Sequence, residues 1–171
     1  MQAFRVERFL AAPEAPEAAL ADARRHSPAA REAAWQLAEH AGRLLGLHDC
    51  IIYLCKDDEL VQVAAWGVKQ VAPRLFENPI RLPIGRGIVG ACARDSAPVL
   101  VCDTDLDSRY VVDDEPRRSE LAVPIRSGRG LVGVIDSEHP DADFYRSTHI
   151  RALLRLAAVF AHWSDTRHQT D

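Results

Sequence analysis

Long apolar runs are missing from this sequence. No stretch approaches the roughly 18 uncharged apolar residues of a membrane-spanning helix, so no membrane partner is expected. The first ten residues include Arg5, Glu7 and Arg8 and lack the apolar segment of a signal peptide. A cytoplasmic protein is therefore the expectation. Basic runs are missing as well. Acids and bases are interspersed and the formal net charge is −4, which argues against nucleic acid as a partner. Cysteine is scarce. Cys50, Cys55, Cys92 and Cys102 form no CxxC pair and no spaced histidine pair follows them, so no metal site is expected. In a reducing compartment the four stay free thiols. The GxSxG signature of a serine hydrolase and the lysine of a P-loop are both absent. No catalytic residue and no cofactor is expected, and the protein is read as a binder rather than an enzyme.

What is present is enough for one domain. The chain has 171 residues, 47% hydrophobic and 27% charged, close to the globular average. Residues 1–26 include AAPEAPEAA and are read as an arm or short helix. The domain proper is placed at 27–165, with a tail at 166–171.

Ser27-Pro28 suits a helix start, serine as cap and proline in the first turn. Ala34, Leu37, Ala38, Ala41, Leu44 and Leu45 then recur at helical spacing up to Gly46, a natural stop. The period changes afterwards. Residues 50–55 (CIIYLC) and 60–66 (LVQVAAW) read as paired strands around a turn at 56–59. A short strand at 79–82 ends at Gly85-Arg86-Gly87, which opens a helix over 88–94. These glycines resemble a phosphate cradle only weakly, and a tight turn into the helix is the favoured reading. A strand at 98–101 precedes residues 103–118, polar and without period, a length typical of a functional lid. Two strands, 120–125 and 131–138, form a hairpin. A last helix spans about 145–165, with apolar residues on two faces. The fold class is α+β, a mostly antiparallel sheet flanked by the two terminal helices. A surface helix needs one apolar stripe. The second stripe is either a homodimer seam or wider burial within one chain.

Strand alternation points to a site. Glu120, Ala122 and Pro124 share one face, as do Val134, Asp136 and Glu138. If the register pairs those faces, Glu120, Asp136 and Glu138 converge into an anchor for a cationic or amine-bearing small molecule. The alternative is a solvated strand end neutralised by Arg117 or Arg118. Asp103, Asp105 and Asp107 imitate the start of a calcium loop, but the required glycine and closing glutamate are missing.

Taken in order, residues 82–90 (LPIGRGIVG), 98–103, 107–110 (DSRY), 118–125 (RSELAVPI) and 133–136 (GVID) resemble a GAF domain, over about 33–162. The resemblance implies a six-stranded sheet with a ligand pocket between the sheet and its loops, a sensory role, and dimerisation through terminal helices. It adds Tyr110, Asp107, Ser119 and Trp66 to the three acids as candidate ligand-binding residues, Tyr110 and Trp66 as apolar walls. One GAF-like group, the free methionine-(R)-sulfoxide reductases, is enzymatic. Their substrate-binding acids fall on Glu120, Asp136 and Glu138. Their cysteines fall on Val89, on Asp113 and near Asn78 and Pro79, so the thiols of the reaction do not carry over. No bilin-attachment cysteine and no clear NKFDE cyclic-nucleotide signature is present. Three readings follow: a sensor binding a small molecule and addressing a signalling partner protein; a reductase relative using Cys92 or Cys102; or an interaction module whose pocket is filled by its own side chains.

Overall fold

The computed structural model describes residues 26–76, 79–112 and 115–167. The expected arm at 1–26 apart from His26, the positions of Asn78 and Asp113, and residues 168–171 lie outside the described residues. Helix α1, Pro28–Leu45, starts where Ser27 Oγ accepts the Ala30 amide at 3.1 Å, and it stops at Gly46 in the left-handed conformation, φ +61°. Both ends follow from the residue types. Strands β1, Asp49–Lys56, and β2, Glu59–Gly67, form a hairpin closed by Asp57 and Asp58. Strand β3, Arg81–Pro83, leads into helix α2, Gly87–Asp95. Gly85 and Gly87 have φ values of +93° and +70°, so the glycines serve the turn, a conformation other residues adopt at a cost. Strand β4, Val99–Val101, is followed by a 3-10 turn at Thr104–Leu106. Strands β5, Ser119–Ser127, and β6, Gly130–His139, make the second hairpin, and helix α3, Ser147–Arg167, closes the chain. It begins two residues later than its apolar pattern indicates.

The six strands form one sheet in the order β3-β2-β1-β6-β5-β4, and every neighbouring pair is antiparallel. Helices α1 and α3 cover one face. There Leu37, Ala38, Ala41, Leu153, Ala157 and Phe160 pack on Cys50, Ile52, Leu54, Leu121, Val123, Ile125 and Ile135. Helix α2 covers part of the other face, with Ile88, Val89 and Cys92 against Ile51, Tyr53, Leu60, Ala122 and Val134. Cys50 and Cys55 fall on opposite faces, as alternation requires. Pro124 sits inside β5 without breaking the sheet, because β4 pairs only with Glu120–Ala122 and β5 has β6 alone beside it at that point. Among the described residues no helix is long and apolar enough to cross a membrane.

Candidate functional site

The register of the second hairpin sets Glu120 directly opposite Glu138 and Ala122 opposite Asp136. Directly opposed side chains on one face lie about 5 Å apart at Cβ. The three acids therefore gather on the face that α2 leaves uncovered, and all three are buried, at 3–4% exposure. Two like charges opposed across a ladder destabilise a sheet. Nothing in the packing of β5 on β6 calls for them.

The structure adds two groups that strand alternation did not reveal. Asp49, the first residue of β1, is fully buried, and its Oδ1 accepts the Glu138 amide at 2.7 Å. Burial, reinforced by the charge of Glu138, pushes its carboxyl up to about 8, so it holds a proton at neutral pH. Its Oδ2 is buried and has no hydrogen-bond partner among the described residues. Lys69 follows β2 in an otherwise exposed turn. Its Nζ lies 2.7 Å from Glu138 Oε2, with the two side chains 7% and 5% exposed.

Among the described residues of 103–118, Tyr110 and Arg117 reach this cluster. Two clasps hold the segment. Arg118 reaches back to Asp103 at 2.8 Å and to Asp105 at 3.3 Å, and the Thr104 hydroxyl donates to the Arg117 carbonyl. Arg118 thus neutralises the loop acids and holds the Asp103 carboxyl below its usual range. Arg117 is the arginine that turns inward. Its side chain is 4% exposed and bonds Glu115 at 3.2 Å, and its positive charge acts on Asp49. The Arg117 amide donates to Tyr110 Oη at 2.8 Å. The Tyr110 hydroxyl is pushed well above its ordinary range by burial and by the neighbouring Glu138, so it stays protonated beside the acids.

The sequence-derived candidates separate accordingly. Glu120, Asp136, Glu138 and Tyr110 come together. Asp107 is at the rim, where its carboxylate binds Arg109 Nη2 at 2.6 Å and is held below its usual range by that guanidinium. Ser119 is buried but points away, its hydroxyl donating to the Asp141 carbonyl at 2.8 Å. Trp66 does not wall this site. It pairs across from Cys50 on the opposite face and lies against Gly42 of α1, where an added Cβ would overlap the indole ring. There it lines a separate cleft of about 380 Å³ with Trp35, Glu39, Arg43 and Arg74, which contains none of the buried acids.

Burial shifts both candidate thiols away from the thiolate. Cys92 faces the sheet beneath α2, and burial, with Asp136 nearby, raises it to about 12. Cys102 is exposed and also raised, by desolvation and by its hydrogen bond with Asp143. A reactive thiol requires the opposite shift. Among the described residues no cluster of His, Cys, Asp and Glu has the arrangement of a metal site.

The sequence profile of the GAF domain family matches residues 30–162. Among solved structures, the chain is similar to that of free methionine-R-sulfoxide reductase from Neisseria meningitidis in complex with its substrate. The two are 23% identical with a TM-score of 0.71, over 83% of this chain and 81% of that one. It is also similar to the GAF domain from Acinetobacter phosphoenolpyruvate-protein phosphotransferase, 16% identical, TM-score 0.72, over 91% of this chain and 93% of that one. The second GAF domain of DevS from Mycobacterium smegmatis is 18% identical, TM-score 0.65, over 83% of this chain and 99% of that one. These likenesses establish the fold. No curated protein matches in sequence.

Proposed function

This chain belongs to the GAF domain family, and on that premise we propose that it is a sensory domain for a small molecule carrying a cationic or amine group. The ligand binds on the sheet face of Glu120, Asp136 and Glu138, under the Tyr110 loop. The observation that carries this reading is the direct pairing of Glu120 with Glu138, both buried. Opposed buried carboxylates need cations around them, and groups of this kind are characteristic of functional sites. The buried Asp49 Oδ2, without a hydrogen-bond partner among the described residues, supports it further. Buried polar atoms are ordinarily hydrogen-bonded.

In this reading Asp136 and Glu138 take the positive group, and the Tyr110 hydroxyl supplies a donor beside them. The protein works in the cytoplasm, pairs with a second copy through α1 and α3, and transmits occupancy to a signalling partner. The likeness to a methionine-R-sulfoxide reductase solved in complex with its substrate supports a small-molecule site on this fold. Both thiols available for a reduction are shifted away from the thiolate.

The test is a thermal-shift screen of amine-bearing metabolites against the wild type and Asp136→Ala. The expected result is that hits carry a positive group and that Asp136→Ala binds them at least about tenfold more weakly with an unchanged circular dichroism spectrum. Hits that are exclusively anionic, or equal affinity in the variant, contradict the assignment.

A further inference from the structure

The chain has two lysines, Lys56 and Lys69, among its 21 basic residues. Arginine supplies its surface cations, including those paired with Asp103, Asp107 and Glu59. One of the two lysines is nonetheless spent inside the candidate site. The turn that carries Lys69 is at the surface, with Val68, Val71 and Leu75 each more than half exposed. The Lys69 stem goes inward, to place Nζ at 2.7 Å from Glu138 Oε2. An ammonium on an unbranched stem is a compact point charge, unlike the planar fork of arginine. It has the shape of a primary amine ligand attached to the protein.

The turn is anchored at its far end, where the Phe76 ring lies on Trp35 of α1 with centroids 5.7 Å apart, and few hydrogen bonds tie the part between to its surroundings. The Val68 amide reaches the His48 carbonyl at 3.4 Å, and the Val71 and Leu75 amides bond within the turn. Arg74 reaches Glu32 on α1 through an ion pair between exposed side chains, which contributes little. Residues 70–74 also line the cleft on the α1 side. A displaced Lys69 would leave from a turn whose Val68, Val71 and Leu75 are exposed among the described residues.

We infer that Lys69 is a tethered competitor: its ammonium holds the cation position on Glu138 until a primary amine ligand replaces it, and that exchange releases the turn at residues 67–76. The inference rests on the cation-binding reading of the site and adds how that site is regulated. It converts occupancy of a buried pocket into movement of an exposed segment, which is the output a sensor needs. The other titratable groups gathered near Glu138 include Asp49, Arg117, Tyr110, Glu120 and Asp136. None of them stands on a surface turn that is free to leave.

The experiment titrates n-butylammonium chloride into the wild type and into Lys69→Met by calorimetry, at constant ionic strength. Lys69→Met keeps the apolar stem and removes the charge. A resident that fills the position nine-tenths of the time weakens an entering ligand by about tenfold, so the variant is expected to bind at least about tenfold more tightly. Equal affinity in the two proteins, still lost in Asp136→Ala, overturns the competitor and leaves the cation site standing. Binding by neither protein overturns both. Should Lys69→Met fail to fold, hydrogen exchange on the wild type decides. Saturation with n-butylammonium is expected to raise exchange across residues 67–76, and unchanged exchange at saturation overturns the proposal.

Discussion

Asp49 carries the strongest consequence at the scale of single residues. Its carboxyl is raised from 3.8 to about 8, chiefly by burial. A raised acid binds its proton more tightly in the folded chain than in the unfolded one. Its contribution to stability is complete below about pH 4 and is lost as pH rises through about 8, at up to about 1.4 kcal/mol per pH unit. Asp49→Asn retains an acceptor for the Glu138 amide and removes the titration. Urea melts between pH 5 and 9 are expected to show the wild type losing stability across this window and the variant losing less. Parallel profiles would contradict the protonated assignment. Residues of this kind also mark the limit of what alternation conveys. Glu120, Asp136 and Glu138 were legible because a period of two fixes their face and the hairpin fixes their register. Asp49 was not, because the apolar run of its strand starts at Cys50. Lys69 was not, because residues 67–78 have no period and a lysine after a strand ordinarily faces water.

Among the elements, the helices and both hairpins follow from the sequence. Ser27, Gly46 and the two-residue turn at Asp57 and Asp58 punctuate them. Trp66 is the instructive failure. Counted by twos from Leu60 it belongs to the face of the acids. The β1–β2 ladder slips between Ile52 and Tyr53, leaving an extra residue in β2 between Gln62 and Ala64. A bulge of one residue inverts every later side chain, and Trp66 arrives on the α1 face. Gly42 is the position that accommodates it. Gly42→Ala improves helix propensity locally but drives a methyl into the indole. The net expectation is a loss of about 1–3 kcal/mol with a shift in tryptophan fluorescence. A neutral or stabilising result would mean that Trp66 rests elsewhere. The 103–118 segment was legible as a long loop. Its clasps were not, because pairing Arg118 with Asp103 and turning Arg117 inward requires β4 and β5 to be brought together first.

At the level of the whole molecule, one sheet separates two environments. Helices α1 and α3 bury a continuous apolar layer on one side. The other side is divided between α2 and the acidic site. The terminal helices still present Leu44 at 61%, Leu154 at 38% and Val159 at 69% exposure, more apolar surface than a helix packed within one chain needs. Light scattering is expected to give twice the chain mass for the wild type, and Leu154→Glu combined with Val159→Glu is expected to halve it. A monomeric wild type would leave these residues as ordinary exposed apolar side chains and remove the dimer from the proposed signalling route.

In the proposed function the buried acids hold a positively charged small molecule. Native mass spectrometry of the purified protein, followed by denaturation and identification of what is released, tests it most directly. The expected result is an added mass that belongs to an amine-bearing metabolite and is lost in Asp136→Ala. A released anion or neutral molecule, or an added mass retained in Asp136→Ala, would contradict it.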